Sequence, residues 1–590
     1  MAQVGIYVPI SAIFPDANPT FSSFRSLLQR LSRTDVLFWC ARLNHVVSGQ
    51  SALSHEQRQA FGLQKLFSQT EIGRLDRFCS TQNRLSENTT VFFRGQILEL
   101  FRWAVLYCDD QDDDGTTFED PDVRRDFVQA CLIASDLWSR RVHGEALDLS
   151  HGLDTARRRA LGPFRKTMEG SLTPGELSQN LGRGWQLFRE HVPRVESSFE
   201  SIFESATHLS TEDYYICWSA LITNYAKPAS ETTIFCADRM AAPTACPELL
   251  QRFLALESQS PDDLRSSLWP NVDRGSSSPA EDHPYDYRPL RERPILASRD
   301  GRLILVDPVF SFDKCSIGPL FHALPLFNAN HLFQVFGKAF EAYVCDLLER
   351  AFPKVGSGLA TPMSRNIQDR DVGGEQYEID ACLNYVTDLV LFEIKAVWVQ
   401  EPKLSPKSSD ALIGLLRERY SVTDKSVKGA GQLARVINAL VMRQWLGPRN
   451  EFAAVRTIYP VIVVNDRLSA SPGFGIFVVD EFRKALLPHM VSCPGELTAR
   501  GLRIFAPVVL TVEDMELLEV SIERSGFREI LVNYCKWSPD RMLPFSDFLA
   551  EMSGLGLVLA NRFLAATSME VLNRAIGRLF PHVANGESSA

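Results

Sequence analysis

Between Glu375 and Ala396 the chain reads EQYEIDACLNYVTDLVLFEIKA, and three charged residues, Asp380, Glu393 and Lys395, interrupt its most apolar run. Residues 376–384 and 389–397 read as strands. If they form a hairpin whose turn is centred between Val386 and Thr387, Asp380 stands directly opposite Glu393, with Cβ atoms about 5 Å apart. Lys395, two residues beyond Glu393, projects from the same face. Like charges facing each other across a sheet are destabilising unless something positive lies between them. Lys395 could serve as their ion-pair partner on a half-exposed face, which would be a structural role only. Two converging carboxylates also offer the oxygen donors that Mg²⁺ takes while keeping water and a substrate phosphate as further ligands. Such a cation polarises a phosphodiester and activates bound water. Lys395 would then orient that water or neutralise charge developing in the transition state. The trio therefore reads as a phosphodiesterase site.

The elements that must position these residues can be traced on either side. A helix is expected from about Asn330 to Phe352, because Phe333, Phe336, Phe340, Val344 and Leu347 recur at helical spacing. After the two strands and a polar insertion, a helix is expected around 429–445. Tyr459–Val464 follows, a continuous apolar run suited to a strand covered on both faces. Another strand candidate spans Phe505–Val512. Upstream, Asp300-Gly301 between two apolar runs, 294–297 and 303–306, marks a hairpin turn. Residues 1–256 read as mainly helical. Residues 257–290, rich in Ser, Pro and Asp, read as a linker or long loop. Residues 291–545 hold the site, and 546–590 read as further helices.

An acid, then Glu-x-Lys across a hairpin, within a helix-strand-strand-strand-helix-strand order, resembles the PD-(D/E)XK nuclease superfamily. The residues that carry the resemblance are Glu378-Ile379-Asp380 and Phe392-Glu393-Ile394-Lys395-Ala396. It implies an α/β restriction-endonuclease-like core, a central mixed sheet flanked by helices, behind a large mainly α-helical N-terminal region. It implies catalysis with Mg²⁺ or Mn²⁺ at Asp380 and Glu393, the Ile394 carbonyl as a further ligand, and Lys395 acting on water or transition state. Members often add an acid from the preceding helix, here Glu341, and some a glutamine from the following helix, here Gln432. Glu341 and Gln432 could equally be ordinary helix-surface residues. The chain departs from the family pattern at Ile379, where a proline is usual, and in the long insertion Glu401–Val427.

DNA is the partner this implies, with RNA an open alternative. Residues 395–470 carry 12 basic against 6 acidic residues within a chain of net charge −10. Lys403, Lys407, Arg417, Arg419, Lys425, Lys428, Arg435 and Arg443 are the candidates for backbone-phosphate contacts. The N-terminal region is expected to sense, target or bind a protein partner. By analogy with nuclease folds fused to helical regions, a role in bacterial defence against phage or plasmid DNA is implied. Two other readings stay open: a catalytically silent nuclease-fold scaffold, and an RNA-cleaving toxin using the same site.

Other chemistries are excluded or weakly signalled. The overall acidity argues against bulk coating of nucleic acid. The 12 cysteines show neither C-x-x-C nor zinc spacing. The first residues lack a basic n-region and no apolar run is long enough to span a bilayer, so a cytoplasmic protein free of membranes is expected. Asp110–Gly115 matches half of a calcium loop but places Pro121 where a glutamate is required. His322 and His331 form no metal-ligand spacing. Phe336-Gly337-Lys338-Ala339 lacks the upstream glycine and the hydroxyl of a phosphate-binding loop.

Overall fold

In the computed structural model the described residues are 6–17, 19–49, 53–81, 89–108, 120–144, 174–223, 234–236, 240, 244–268, 287–298, 301–352, 363–370, 376–397, 409–423, 426–442, 452–465, 473–486, 491–493, 496–499, 502–541, 543–554 and 561–581. The chain is mixed α/β. Helices dominate up to residue 351, and beyond it a mixed eight-stranded sheet is interleaved with further helices. No helix among the described residues is long and apolar enough to cross a membrane.

Helix α1 (Ala329–Ala351) starts at Asn328, whose side chain accepts the His331 amide hydrogen bond. Its apolar stripe, including Val335, Phe336, Phe340, Tyr343, Val344 and Leu347, is buried. Three antiparallel strands follow, β1 (Met363–Arg370), β2 (Gln376–Asn384) and β3 (Asp388–Lys395). Helices α2 (Ser409–Tyr420) and α3 (Ala430–Met442) then carry the chain to β4 (Thr457–Val464), parallel to β3 along its whole length. A crossover between parallel neighbours needs such a helical connection. Beyond α4 (Phe474–Ala485) come β5 (Val491–Cys493), β6 (Glu496–Ala499), β7 (Leu502–Phe505) and β8 (Val508–Thr511), then α5 (Val512–Ser525). The strand order is β5-β6-β7-β4-β3-β2-β1, with β8 also paired to β4.

The sheet separates two apolar layers. Val390, Phe392, Val461 and Val463 pack with α1 and α5 on one face, while Leu389, Leu391, Ile462 and Val464 pack with α3 and α4 on the other. The run expected as one strand over 505–512 is two strands, because Pro507 has no N–H to continue a ladder. Both halves still pair with β4, at Thr457–Ile458 and Val461–Val464.

Packing does not divide the chain at the expected linker. Helices within 181–254 share one apolar core with α1, the main sheet and the Arg562–Leu579 helix. Residues from Val8 to Ala134 share a second core with Leu264, Leu290, Leu296, Ile304, Val306 and Phe310. Inside the stretch read as a loop lies the helix Pro261–Leu268, with Leu264 fully buried. Ser260 Oγ accepts from the Asp263 amide, and Asp263 Oδ2 accepts from the Ser260 amide. That reciprocal cap is a helix-start signal which the polar composition obscured. Residues 269–286 of the expected linker lie outside the described residues, as does the acidic loop 110–115.

The hairpin around Asp300-Gly301 forms from Ile295–Ala297 and Arg302–Leu305, and Gly301 adopts φ +79°. It belongs to a small sheet with Ile234–Cys236 and Ser258–Gln259. Its residues alternate between the two cores. Ile295, Leu303 and Leu305 face one, Leu296, Ile304 and Val306 the other.

Candidate functional site

The β2–β3 hairpin has the register the sequence implied: Asn384 faces Leu389, Leu383 faces Val390, Cys382 faces Leu391 and Ala381 faces Phe392. The next facing pair would be Asp380 and Glu393, and there the ladder stops. Instead of a backbone pair, Asp380 Oδ2 accepts the Ile394 amide hydrogen at 2.6 Å. The ladder to β1 skips the same residue. Arg365 faces Ala381 and Ile367 faces Ile379, leaving Asn366 opposite Asp380 with left-handed φ +52°.

Core packing registers the same break. Tyr377 and Ile379 lie in the layer beside α3, whereas Ala381 and Leu383, of the same parity, lie in the layer beside α1. A regular strand keeps alternate residues on one face, so β2 turns over at Asp380. This gives an acidic side chain at the sheet's interruption access to groups from both layers.

The charges gathered there are poorly compensated. Glu393 is 2% exposed and Asp380 6%. Lys395 Nζ stands 2.5 Å from Glu393 Oε1, a direct ion pair, and Glu393 is the more deeply buried of the two. Burial, reinforced by the Asp380 charge and only partly offset by Lys395, pushes the Glu393 carboxyl up to about 8. Burial also raises Asp380, against the lowering influence of Lys395 and the Ile394 amide. On α1, burial and the Asp380 charge push the half-buried Glu341 up to about 7. Burial works to lower the Lys395 ammonium, but Glu393 and Asp380 outweigh it and hold the group above its usual value.

Among the described residues no group of three or more His, Cys, Asp and Glu side chains is close enough together to hold a metal ion. Glu341 therefore stands near the pair without closing a three-carboxylate cage. What the residues offer is two buried carboxylates, one of them paired with Lys395. That donor set fits a hard cation that keeps most of its water, and it does not fit a closed, dehydrated site.

Gln432 lies half-buried in the first turn of α3, on the opposite layer from α1. Of the expected phosphate contacts, Arg417 is exposed and bonds Glu481 at 3.2 Å, Arg419 and Lys428 are half-buried, and Arg435 lies over the Tyr377 ring at 5.4 Å. Lys403, Lys407, Lys425 and Arg443 lie outside the described residues. His322 Nε2 is 2.6 Å from buried Glu257, and His331 Nε2 is 3.0 Å from Glu196; each imidazole is hydrogen-bonded to a glutamate other than Glu341 and Glu393.

The sequence did not announce the left-handed backbone at Asn366. A left-handed asparagine within a strand is a weak signal, since asparagine tolerates that conformation in many turns. No family model matches the chain, and no curated protein or solved structure matches it.

Proposed function

We propose that the chain is a divalent-metal-dependent nuclease that hydrolyses phosphodiester bonds, with DNA as its substrate class. The observation that carries this reading is the break at Asp380. A sheet whose ladders run on through apolar residues is interrupted at the one point where two buried acids and a lysine meet. The element order from α1 to β4, one helix, three strands, two helices separated by the short Val422–Thr423 and Ser426–Val427 hairpin, and a strand, is consistent with a restriction-endonuclease-like core carrying an insertion.

Mg²⁺ or Mn²⁺, when bound, would supply Lewis-acid polarisation of the phosphate and a more acidic water. Asp380 and Glu393 would hold it, with the Ile394 carbonyl as a further oxygen donor and Glu341 nearby without completing the set. Lys395, released from Glu393 as that carboxylate turns to the cation, would face the phosphate and offset its growing charge. Burial of Asp380 and Glu393, with Lys395 half-buried beside them, keeps these interactions in a low-dielectric setting where they count for more than in water.

The test is cleavage of plasmid, linear duplex, single-stranded DNA and RNA with Mg²⁺, Mn²⁺ or EDTA, comparing wild type with Lys395→Ala. Metal-dependent cleavage that falls about 10²–10³-fold in the variant is expected. A second reading, binding without cleavage, draws on the direct Lys395–Glu393 ion pair, which neutralises one acid without any metal. It predicts a folded wild type with neither cleavage nor a thermal shift on adding Mn²⁺.

A further inference from the structure

The motif Phe336-Gly337-Lys338-Ala339, which fits no phosphate-binding loop, occupies a surface that the catalytic reading leaves unused. It lies mid-helix in α1, and its exposed side leads to Glu341. Phe333, Gly337 and Glu341 recur at four-residue spacing, and Gln334 and Lys338 form the adjoining row. Gln334 and Lys338 are exposed, Phe333 is 38% exposed, and Gly337 and Glu341 are half-buried.

Glycine is costly inside a helix, so a glycine there usually answers a packing demand. At some positions in this protein it does, while Gly73, Gly414 and Gly577 stand as open as Gly337. A Cβ at Gly184 would collide with the Cys315 carbonyl, and one at Gly318 with the Tyr214 hydroxyl. At Gly337, among the described residues, nothing lies within 4 Å of where a Cβ would stand. The backbone there is not left-handed either. Neither packing nor conformation accounts for the residue. Beside it, Lys338 forms no ion pair or hydrogen bond among the described residues, while its charge bears on the Glu341 carboxyl one turn away. Glu341 follows Gly337 and Lys338 one turn on along the same side of the helix.

We propose that this face of α1 is a contact track for the nucleic-acid backbone next to the scissile phosphate. The bare turn at Gly337 lets the strand come close to the helix, and Lys338 meets a phosphate oxygen. The inference rests on the nuclease reading and names where that substrate would run.

The test uses the full chain and labelled duplex and single-stranded DNA oligonucleotides, with binding measured in EDTA and cleavage in Mg²⁺. Gly337→Ala should raise the denaturation midpoint, since it improves helix propensity without a clash, yet lower kcat/KM roughly tenfold or more, because shifting a positioned group by about 1 Å can cost up to about 100-fold. Gly577→Ala, at another open helical glycine, should raise stability and leave binding and cleavage as they were. Lys338→Gln should weaken binding to all sequences alike and reduce the salt dependence of log K by about 1, with Lys338→Arg retaining most of both. Wild-type cleavage unaffected by Gly337→Ala and Lys338→Gln would overturn the track and leave the nuclease reading standing. Loss of stability together with activity in Gly337→Ala would assign the glycine a packing role and overturn the track as well. A wild type that neither binds nor cleaves any probe would overturn both.

Discussion

Asp380 Oδ2 accepts the Ile394 amide hydrogen at 2.6 Å, in the gap where the β2–β3 ladder has just ended at Ala381 and Phe392. A side chain thus replaces a backbone acceptor at a buried position, since Ile394 is 5% exposed. Asp380→Asn keeps an oxygen that can accept this bond, and Asp380→Ala does not. The alanine variant should lose about 1–3 kcal/mol, the cost of a buried unpaired donor. The asparagine variant should hold its denaturation midpoint while losing any metal-induced thermal shift. Equal destabilisation of the two would show that the amide contact does not hold the break together.

The metal-free protein should become less stable as pH rises from 6 to 8. Burial with the Asp380 charge pushes Glu393 up to about 8 and Glu341 up to about 7, both above their unfolded values near 4.5. The folded state therefore binds more protons than the unfolded chain across this range, and stability falls with pH. Nearly fully buried Glu393 dominates, with a contribution on the order of a few kcal/mol. Denaturant midpoints in EDTA at pH 6, 7 and 8 test this. Glu393→Gln should flatten the profile, and a flat wild-type profile would contradict the stated environment of the pair.

Arg183 should be among the costliest single residues to remove. Its guanidinium bonds Glu516 through Nε at 2.7 Å and Nη2 at 2.9 Å, and Glu513 through Nη1 at 2.7 Å. Tyr343, on α1, donates to the same Glu516 oxygen at 2.7 Å. Arg183→Met would leave Glu516, which is wholly buried, without its cation, at about 3–5 kcal/mol. Adding Glu516→Gln should recover part of that loss. For the same reason, removing residues 1–256 should give an insoluble fragment rather than a freed catalytic domain.

Val386→Gly should stabilise the fold. Val386 sits at φ +71° at the tip of the β2–β3 turn and is 65% exposed, with Thr387 N bonded to Tyr385 O at 2.9 Å and Tyr385 N to Asp388 O at 2.8 Å. A β-branched residue in this region stores about 1–3 kcal/mol, which glycine avoids. Some of the gain is offset because glycine loosens the unfolded chain. A net rise of about 1 kcal/mol in the denaturation free energy, with unchanged cleavage, is expected; a fall would mean that the turn is not strained.

The strand register and the helix before it were legible because apolar periodicity and turn length act locally. The hairpin register from Asn384–Leu389 to Ala381–Phe392 could be read from spacing alone. The break itself was not legible, since nothing in Asn366 or Asp380 as residue types states that both ladders skip them. The helix at Pro261–Leu268 was hidden for a different reason. Its eight residues include a single buried leucine, so composition outweighed the capping pattern at Ser260 and Asp263. Packing between distant segments, as between Arg183 and Glu516, leaves no periodic trace in either.

The Ile295–Leu305 hairpin gives alternate side chains to two different cores. Its consequence concerns the order of synthesis. Residues 8–134 leave the ribosome long before Leu296, Ile304 and Phe310, which complete their core, so the N-terminal helices must wait with apolar faces open. Nascent chains ending before Ile295 should therefore stay protease-sensitive along their whole length.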